Sequence, residues 1–188
     1  ALYIISFDSL KKIKIQKEIF ILTSKIYNTK LLLKLKDYVV KKSSIIFSKN
    51  SNVHSARTSF KALINNDEFF GFLKESKDII YNAWKKDYVI HDAWGCVYRN
   101  PDNYCKRHNH LGTTAFSGIL YLTDHGPGTY FPELNLTVKE EVGKFVIFDP
   151  MLYHEVPKYK YTKERVTVAF NCDEHQFLMN SKTTKILK

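Results

Sequence analysis

The sequence predicts a mainly β protein with helices in its N-terminal part, and three observations carry this prediction. The chain of 188 residues is 44% hydrophobic, which is enough apolar material for one folded domain. Before Asp87, apolar residues recur at helical spacing. After Asp87, short β-rich runs follow one another, separated by Gly, Pro, Asn and Asp, which is typical of a sandwich or barrel.

Residues 1–87 are predicted to form a scaffold that packs on the β core. The apolar residues 2–5 predict a short buried strand, and the polar residues 50–59 predict a loop. Two helices are predicted where an Asn suited to capping precedes apolar residues at helical spacing. They cover 31–40 after Asn28, and 67–84 after Asn66.

Residues 88–175 are predicted to form the β core, and 176–188 a C-terminal tail. The run 117–122 is almost continuously apolar, as expected of a strand that is buried on both faces. The predicted core strands cover 88–91, 93–98, 116–123, 145–148 and 165–171.

Composition limits the classes of partner and compartment. The net charge is +10, which would suit a nucleic-acid partner, but the lysines are scattered and form no nucleic-acid-binding motif. No apolar run approaches the roughly 20 residues of a membrane helix. The three cysteines are an odd number without CxxC spacing, which indicates reduced thiols and a cytoplasmic protein.

Three histidines have the spacing of a metal site. His108 and His110 are two residues apart, so on a strand both side chains would project from one face. His154 lies in a second β-rich stretch and could supply the remote ligand. Neutral imidazoles suit iron, zinc, copper and nickel. The alternative from the residues alone is that these are exposed strand histidines.

Arg165 and Thr167 follow on the next predicted strand. One strand face would present a guanidinium and a hydroxyl, and an Arg binds a carboxylate through two parallel hydrogen bonds. The alternative is an exposed strand Arg in an ion pair, for instance with Glu164.

The order of these features resembles one family. Its segments here are Tyr98 and Tyr104 before His108, then 117–122, 128–132, 142–148, 153–156, and Arg165 with Thr167. This series, over residues 94–173, resembles the 2-oxoglutarate- and Fe(II)-dependent dioxygenases, in particular their prolyl-hydroxylase-like branch of bacterial and phage type.

The resemblance implies a double-stranded β-helix core, a jelly roll like that of cupins. It implies an enzyme that binds Fe(II), 2-oxoglutarate and O2, and that hydroxylates a C–H bond of a peptidyl, prolyl-type residue or a small molecule. The implied iron ligands are His108, His110 and His154. The implied 2-oxoglutarate contacts are Arg165, Thr167, Tyr121 and Tyr98. The implied substrate rim comprises the loops 100–107 and 124–136, with Tyr104, Arg107 and Tyr130.

One departure from the family pattern keeps alternatives open. His110 stands where most members have a carboxylate ligand, and losing that carboxylate would leave the iron centre more positive by one unit. In another register His110 would be the first ligand and Gly112 the second position, as in halogenases. Other readings are a cupin-type metal-binding module, an oxygenase without 2-oxoglutarate, a basic nucleic-acid-binding domain or a nucleobase oxygenase. Substrate identity and oligomeric state stay open.

Overall fold

Two helices and two antiparallel sheets make up most of the described chain. The structure is a computed structural model that describes residues 2–6, 9–13, 19–45 and 51–174. At the N-terminus, β1 (Leu2–Ser6) pairs with β2 (Ser9–Ile13) in a two-stranded antiparallel sheet, so the strand predicted at 2–5 is confirmed. The predicted tail 176–188 lies outside the described residues.

Both predicted helices are confirmed, with the predicted caps. Helix α1 covers Thr29–Lys42, and the Asn28 side chain accepts a hydrogen bond from the backbone of Leu31. Helix α2 covers Asp67–Trp84, and Asn66 caps it in the same way. These caps satisfy backbone N–H groups that have no partner in the first turn. No described helix is long and apolar enough to cross a membrane.

The larger sheet has seven antiparallel strands, and the helices pack on one of its faces. The strand predicted in two pieces at 88–91 and 93–98 is continuous. In spatial order the strands are β3 (Ile21–Lys25), β12 (Lys144–Phe148), β9 (Phe116–Tyr121), β14 (Arg165–Glu174), β7 (Tyr88–Tyr98), β6 (Ala56–Arg57) and β4 (Ser44–Ile45).

The smaller sheet has five antiparallel strands, and a short 3-10 helix, Pro132–Leu134, lies between two of them in the chain. In spatial order they are β11 (Leu136–Val138), β10 (Thr129–Phe131), β13 (His154–Val156), β8 (Tyr104–His108) and β5 (Val53–His54).

The loop predicted over residues 50–59 is wrong at 53–54 and 56–57, which form β5 and β6. β5 and β6 each have two residues and exist because they pair with β8 and β7 respectively. Such short strands have too few residues to show an alternating pattern, so pairing with distant strands decides their structure. The predicted rim loops 100–107 and 124–136 likewise contain strand residues of β8 and β10.

Strand β14 shows how the larger sheet serves two purposes. Side chains alternate between faces along a strand. Val166 and Val168 belong to the core beneath the helices. Arg165 and Thr167 line a cavity on the opposite face. The sequence alternation therefore divides the strand between fold stability and the site.

A glycine allows α1 to lie close to this sheet. A Cβ atom on Gly95 would be 2.3 Å from Cγ1 of Val39 in α1, well inside the contact distance of two carbon atoms. The helix thus covers the sheet tightly on one face, while the cavity occupies the other.

Candidate metal centre and carboxylate pocket

The three predicted histidines come together between paired strands of the smaller sheet. His108 ends β8 and pairs across to His154, the first residue of β13. His110 follows in a turn, where its backbone N–H donates to the carbonyl of Pro150 at 2.9 Å. The ring centroids lie 4.3 Å apart for His108 and His154, 5.0 Å for His108 and His110, and 5.2 Å for His110 and His154.

The sequence predicts that His108 and His110 project from one strand face. This prediction is wrong, because β8 ends at His108 and His110 lies outside the strand. The turn nonetheless brings His110 to the same place. One ring nitrogen of each histidine lies within 4.8 Å of the others, and the described residues add no carboxylate to this group. Gly112, the alternative second position, sits in a turn at φ +78° and has no side chain to ligate with. We call His108, His110 and His154 the histidine cluster.

The cluster is held in the neutral state that binds metals. Burial lowers the pKa of all three imidazoles, and mutual repulsion lowers those of His110 and His154 further. The pKa of His110 falls to about 4. Nδ1 of His108 lies 2.7 Å from the carbonyl oxygen of Lys106, which favours a proton on Nδ1 and leaves Nε2 available as a ligand.

A cavity of about 50 Å³ lies between the sheets and follows β14 from Arg165 to Asn171. The histidine cluster, Tyr98 and Thr167 also line it. Its remaining wall is largely apolar, with contributions from Trp94, Cys96, Cys105, Ile119, Phe148, Val156 and Phe170. An apolar wall around a few polar groups is typical of small-molecule sites.

Arg165 is fully buried, with 1% of its side chain exposed. Its guanidinium carbon lies 4.5 Å from the centroid of the Tyr98 ring. Its Nε donates to a carboxylate oxygen of Glu140, whose side chain is equally buried. Burial alone would lower the pKa of Arg165, but the charge of Glu140, its hydrogen bond to Arg165 and the nearby tyrosines together raise it above its usual value. The Arg is therefore neither exposed nor paired with Glu164, which instead pairs with Arg99.

The sequence interpretation missed Glu140. It lies in the run Lys139-Glu140-Glu141, which looks like a solvated charged segment. Alternation from the buried Val138 would have pointed Glu140 inward, since Lys139 and Glu141 are exposed on either side. That weak pattern was the available signal.

The remaining predicted 2-oxoglutarate contacts surround Arg165. Thr167 lines the cavity, two residues along β14. Tyr121 is fully buried in β9 next to Thr167, and its hydroxyl donates to Oγ1 of Thr129 at 2.8 Å. Thr129 lines the cavity, but Tyr121 does not. Tyr121 therefore reaches the cavity wall through Thr129.

The predicted rim residues lie elsewhere on the smaller sheet. Tyr104 stacks on His54, with ring centroids 4.4 Å apart. Nε of Arg107 pairs with Glu155 at 2.9 Å, and the Tyr130 hydroxyl donates to Asn135. Among the described residues, none of these three predicted rim residues lines the cavity.

The mouth beside the histidine cluster is instead a cleft of about 230 Å³. Its walls come from residues 51–53, which lead into β5, from the segment before α2, and from β7 and β14. Besides those two histidines, it is lined by Ser51, Asn52, Val53, Phe60, Asp92, Trp94 and Asn171. The sequence offered no periodic signal for this set, because its members are far apart in the chain.

The cysteines agree with the predicted reduced state. Cys96, Cys105 and Cys172 are buried free thiols. Burial raises the pKa of Cys96 to about 11 and that of Cys105 to about 12, so both are protonated thiols at neutral pH.

Solved structures share this architecture, although no protein-family model and no curated protein sequence matches the chain. A viral collagen prolyl hydroxylase from Paramecium bursaria Chlorella virus-1, solved with 2-oxoglutarate, superposes with a TM-score of 0.62 at 16% identity, over 80% of this chain and 94% of that one. A Pseudomonas putida prolyl-4-hydroxylase gives 0.61 at 13% identity, over 82% and 92%.

A third neighbour has different chemistry. The non-haem α-ketoglutarate-dependent epimerase SnoN of nogalamycin biosynthesis superposes with a TM-score of 0.65 at 10% identity, over 89% of this chain and 88% of that one. At such identities the likeness is one of fold. The predicted fold is thereby confirmed: the chain has the double-stranded β-helix fold of the 2-oxoglutarate- and Fe(II)-dependent oxygenases.

Proposed function

We propose that the protein is a 2-oxoglutarate-dependent, non-haem Fe(II) dioxygenase that hydroxylates a C–H bond. The observation that carries the proposal is a single cavity lined by three neutral imidazoles and by a buried Arg. His108, His110 and His154 offer converging nitrogens, and Arg165 offers a guanidinium on the same wall as Thr167. A metal ion would match the three imidazoles, and a 2-oxo acid bound to that metal would match Arg165 through its second carboxylate.

The donor set fits a ferrous ion. Three imidazoles with lowered pKa are ready to ligate without releasing protons, and nitrogen ligands suit Fe(II). Three protein ligands also leave coordination positions for other molecules. When bound, the iron and 2-oxoglutarate would supply the oxidising chemistry, with O2 as oxidant and succinate and CO2 as products.

The chain's own residues would bind and orient. Arg165 would bind the far carboxylate of 2-oxoglutarate, because this residue lines the cavity and its Nη1 has no hydrogen-bond partner within the described part of the chain. Thr167 would add a hydroxyl from the same face. Tyr98 would stabilise the guanidinium through a cation–π contact with its ring. Tyr121 would hold Thr129 in the wall. The apolar wall would exclude water.

For the substrate we propose a peptidyl residue of prolyl type. Two of the fold neighbours are prolyl hydroxylases, and the mouth offers an aromatic wall, Phe60 and Trp94, with polar groups suited to a peptide backbone. No lysine or arginine is among the described residues that line the mouth, although the net charge is +10. The mouth thus gives phosphate groups no counter-charge, which disfavours a nucleic-acid substrate. The buried free thiols suit a cytoplasmic location.

A second candidate is a cupin-type oxygenase or metal-binding module that does not use 2-oxoglutarate. The observation in its favour is the ion pair between Arg165 and Glu140, because an Arg that already has a buried partner can serve structure alone. The two candidates differ in whether a 2-oxo acid binds beside the metal.

The test is succinate formation from 2-oxoglutarate with Fe(II) and O2, with and without proline-containing peptides. We expect turnover in the wild type, stimulation by a peptide that is a substrate, and no turnover in His154→Ala. His125→Ala is the matched control, because His125 lies on an exposed segment and contacts Asp124 and Glu164 rather than the cluster. Metal binding without any 2-oxoglutarate binding would favour the cupin-type candidate. Absence of metal binding would reject both.

A further inference from the structure

The carboxylate of Glu140 packs closely against Gly126, which has no side chain in its way. A Cβ atom on Gly126 would lie 2.8 and 2.9 Å from the two carboxylate oxygens of Glu140, and 3.0 Å from Cδ of Arg165. Gly126 therefore leaves room for the contact between Glu140 and Arg165, because any side chain at this position would collide with them. A buried charge is costly unless it is paired, and each of these two side chains is the other's counter-charge.

The pair is nonetheless incomplete. Glu140 contacts Nε of Arg165, whereas Nη1 of Arg165 and Oε2 of Glu140 are buried without a hydrogen-bond partner in the described chain. Arg165 lines the cavity, and Glu140 does not appear on that wall. The guanidinium thus keeps one donor for a ligand, while its positive charge is already compensated from behind.

Formal charges make the cavity uneven. The histidine cluster contains no carboxylate among the described residues, and imidazole is an uncharged ligand, so a divalent metal would keep its full charge of +2. At the other end the charges of Arg165 and Glu140 sum to zero. The 2-oxo acid end of a co-substrate would therefore meet strong attraction, and a far carboxylate would meet much less than an unpaired Arg provides.

We propose that Glu140 is a specificity-determining residue for the co-substrate: it weakens the contribution of a far carboxylate, so that the protein accepts 2-oxo acids with neutral tails alongside 2-oxoglutarate. This inference rests on the proposed function, because it assumes that a 2-oxo acid binds in this cavity. Glu140 acts through Arg165 and touches neither the metal nor the reacting atoms.

The test is equilibrium binding, measured by calorimetry on the Ni(II)-loaded protein, because it needs no turnover. The two ligands are 2-oxoglutarate and 2-oxopentanoate, which has the same five-carbon chain but ends in a methyl group. In the wild type we expect 2-oxoglutarate to bind less than about tenfold more tightly, since the far carboxylate gains little at a compensated Arg. A wild-type preference above about 100-fold would overturn the inference without any variant.

The variant is Glu140→Gln, which keeps an oxygen that can accept from Nε of Arg165 but removes the charge. We expect 2-oxoglutarate to bind about tenfold or more tightly than in the wild type, and 2-oxopentanoate to stay within about twofold. Glu141→Gln is the matched control, because Glu141 is the next residue but is half-exposed and pairs with Lys25 and Lys144. It should change neither affinity.

The outcomes distinguish a failure of the inference about Glu140 from a failure of the proposed function. If the wild type and Glu140→Gln both bind 2-oxoglutarate, but the variant binds it equally or more weakly, Glu140 only positions Arg165 and the inference is wrong while the proposed function stands. If the metal binds and neither 2-oxo acid binds either protein, the proposed function fails, and the inference fails with it.

Discussion

The histidine cluster and Arg165 line one cavity, but the two ends of that cavity differ in whether the chain supplies a charged partner of its own. In the cluster, three neutral imidazoles face each other, and no described acidic residue joins them. At the other end, a buried cation already has a buried carboxylate as its partner. The first arrangement needs an external ion to be complete, whereas the second is balanced within the chain.

This difference predicts which end of the cavity contributes to the stability of the metal-free protein. Metal binding should add stability that the bare chain lacks, because the cluster gains its missing partner only from outside. The ion pair, by contrast, should already be part of the stability of the bare chain. The two ends can therefore be separated by experiments that measure unfolding with and without metal.

The largest effect is expected from breaking the ion pair. Arg165→Leu leaves Glu140 buried without a counter-charge and should lower the free energy of unfolding by about 3–5 kcal/mol, measured by denaturant titration. Arg165→Leu with Glu140→Leu should recover most of the loss, because two apolar side chains tolerate burial.

Arg99→Leu is the control for this experiment. Its pair with Glu164 is half-exposed, so the loss should stay below about 1 kcal/mol. The single variant Glu140→Leu completes the cycle. If the losses in Arg165→Leu and Glu140→Leu simply add in the double variant, the two side chains are not energetically coupled, and Glu140 is not the counter-charge of Arg165.

The next effect concerns the metal. Ni(II) at 100 times its dissociation constant should raise the free energy of unfolding of the wild type by about 2.7 kcal/mol. His154→Ala should lose nearly all of this gain, because one of three ligands is missing, and His125→Ala should keep it. The measurement is the shift in unfolding with and without Ni(II). Equal shifts in His154→Ala and the wild type would show that the metal binds elsewhere.

The sequence predicts features with a local pattern better than features that depend on distant residues. Regular elements with local patterns were predictable: the Asn28 and Asn66 caps and the apolar spacing behind them specify α1 and α2 without tertiary information. Arg165 and Thr167 were placed on one face by strand alternation, and they do line one wall. These cases depend on neighbours in the chain.

The features that escaped prediction depend on distant partners. β8 and β13 are short strands that depend on pairing with each other and with β5 and β10, and the turn at His110 is fixed by a hydrogen bond to the carbonyl of Pro150. In the sequence, Glu140 looks like any charged surface residue, and its ion pair with Arg165 is seen only in the structure. No local pattern encodes such a meeting, because its energy comes from burial and charge compensation between residues far apart in the chain.

A smaller effect is expected from filling the space at the ion pair. Gly126→Ala introduces a Cβ next to the carboxylate of Glu140 at φ +149°, which should cost about 1–3 kcal/mol of stability. The gain on adding Ni(II) should stay as in the wild type. Gly112→Ala is the control, since φ is +78° there but nothing lies within 4 Å of the new atom, so only backbone strain remains. If Gly126→Ala costs no more than Gly112→Ala, the carboxylate is not tightly seated.

The smallest effect is expected from exchanging one ligand for another at the histidine cluster. His110→Asp should keep the metal with an affinity within about tenfold of the wild type, because a carboxylate oxygen also binds divalent ions. The visible spectrum of the Co(II)-loaded protein should change, since the ligand and the charge both change. An unchanged spectrum would show that His110 is not a ligand.

The same variant also changes the charge around the metal. If the spectrum changes, the metal site in His110→Asp carries one unit less positive charge, so 2-oxoglutarate should bind more weakly than in the wild type. Adding Glu140→Gln should restore that affinity, because the same charge is then removed at the other end of the cavity.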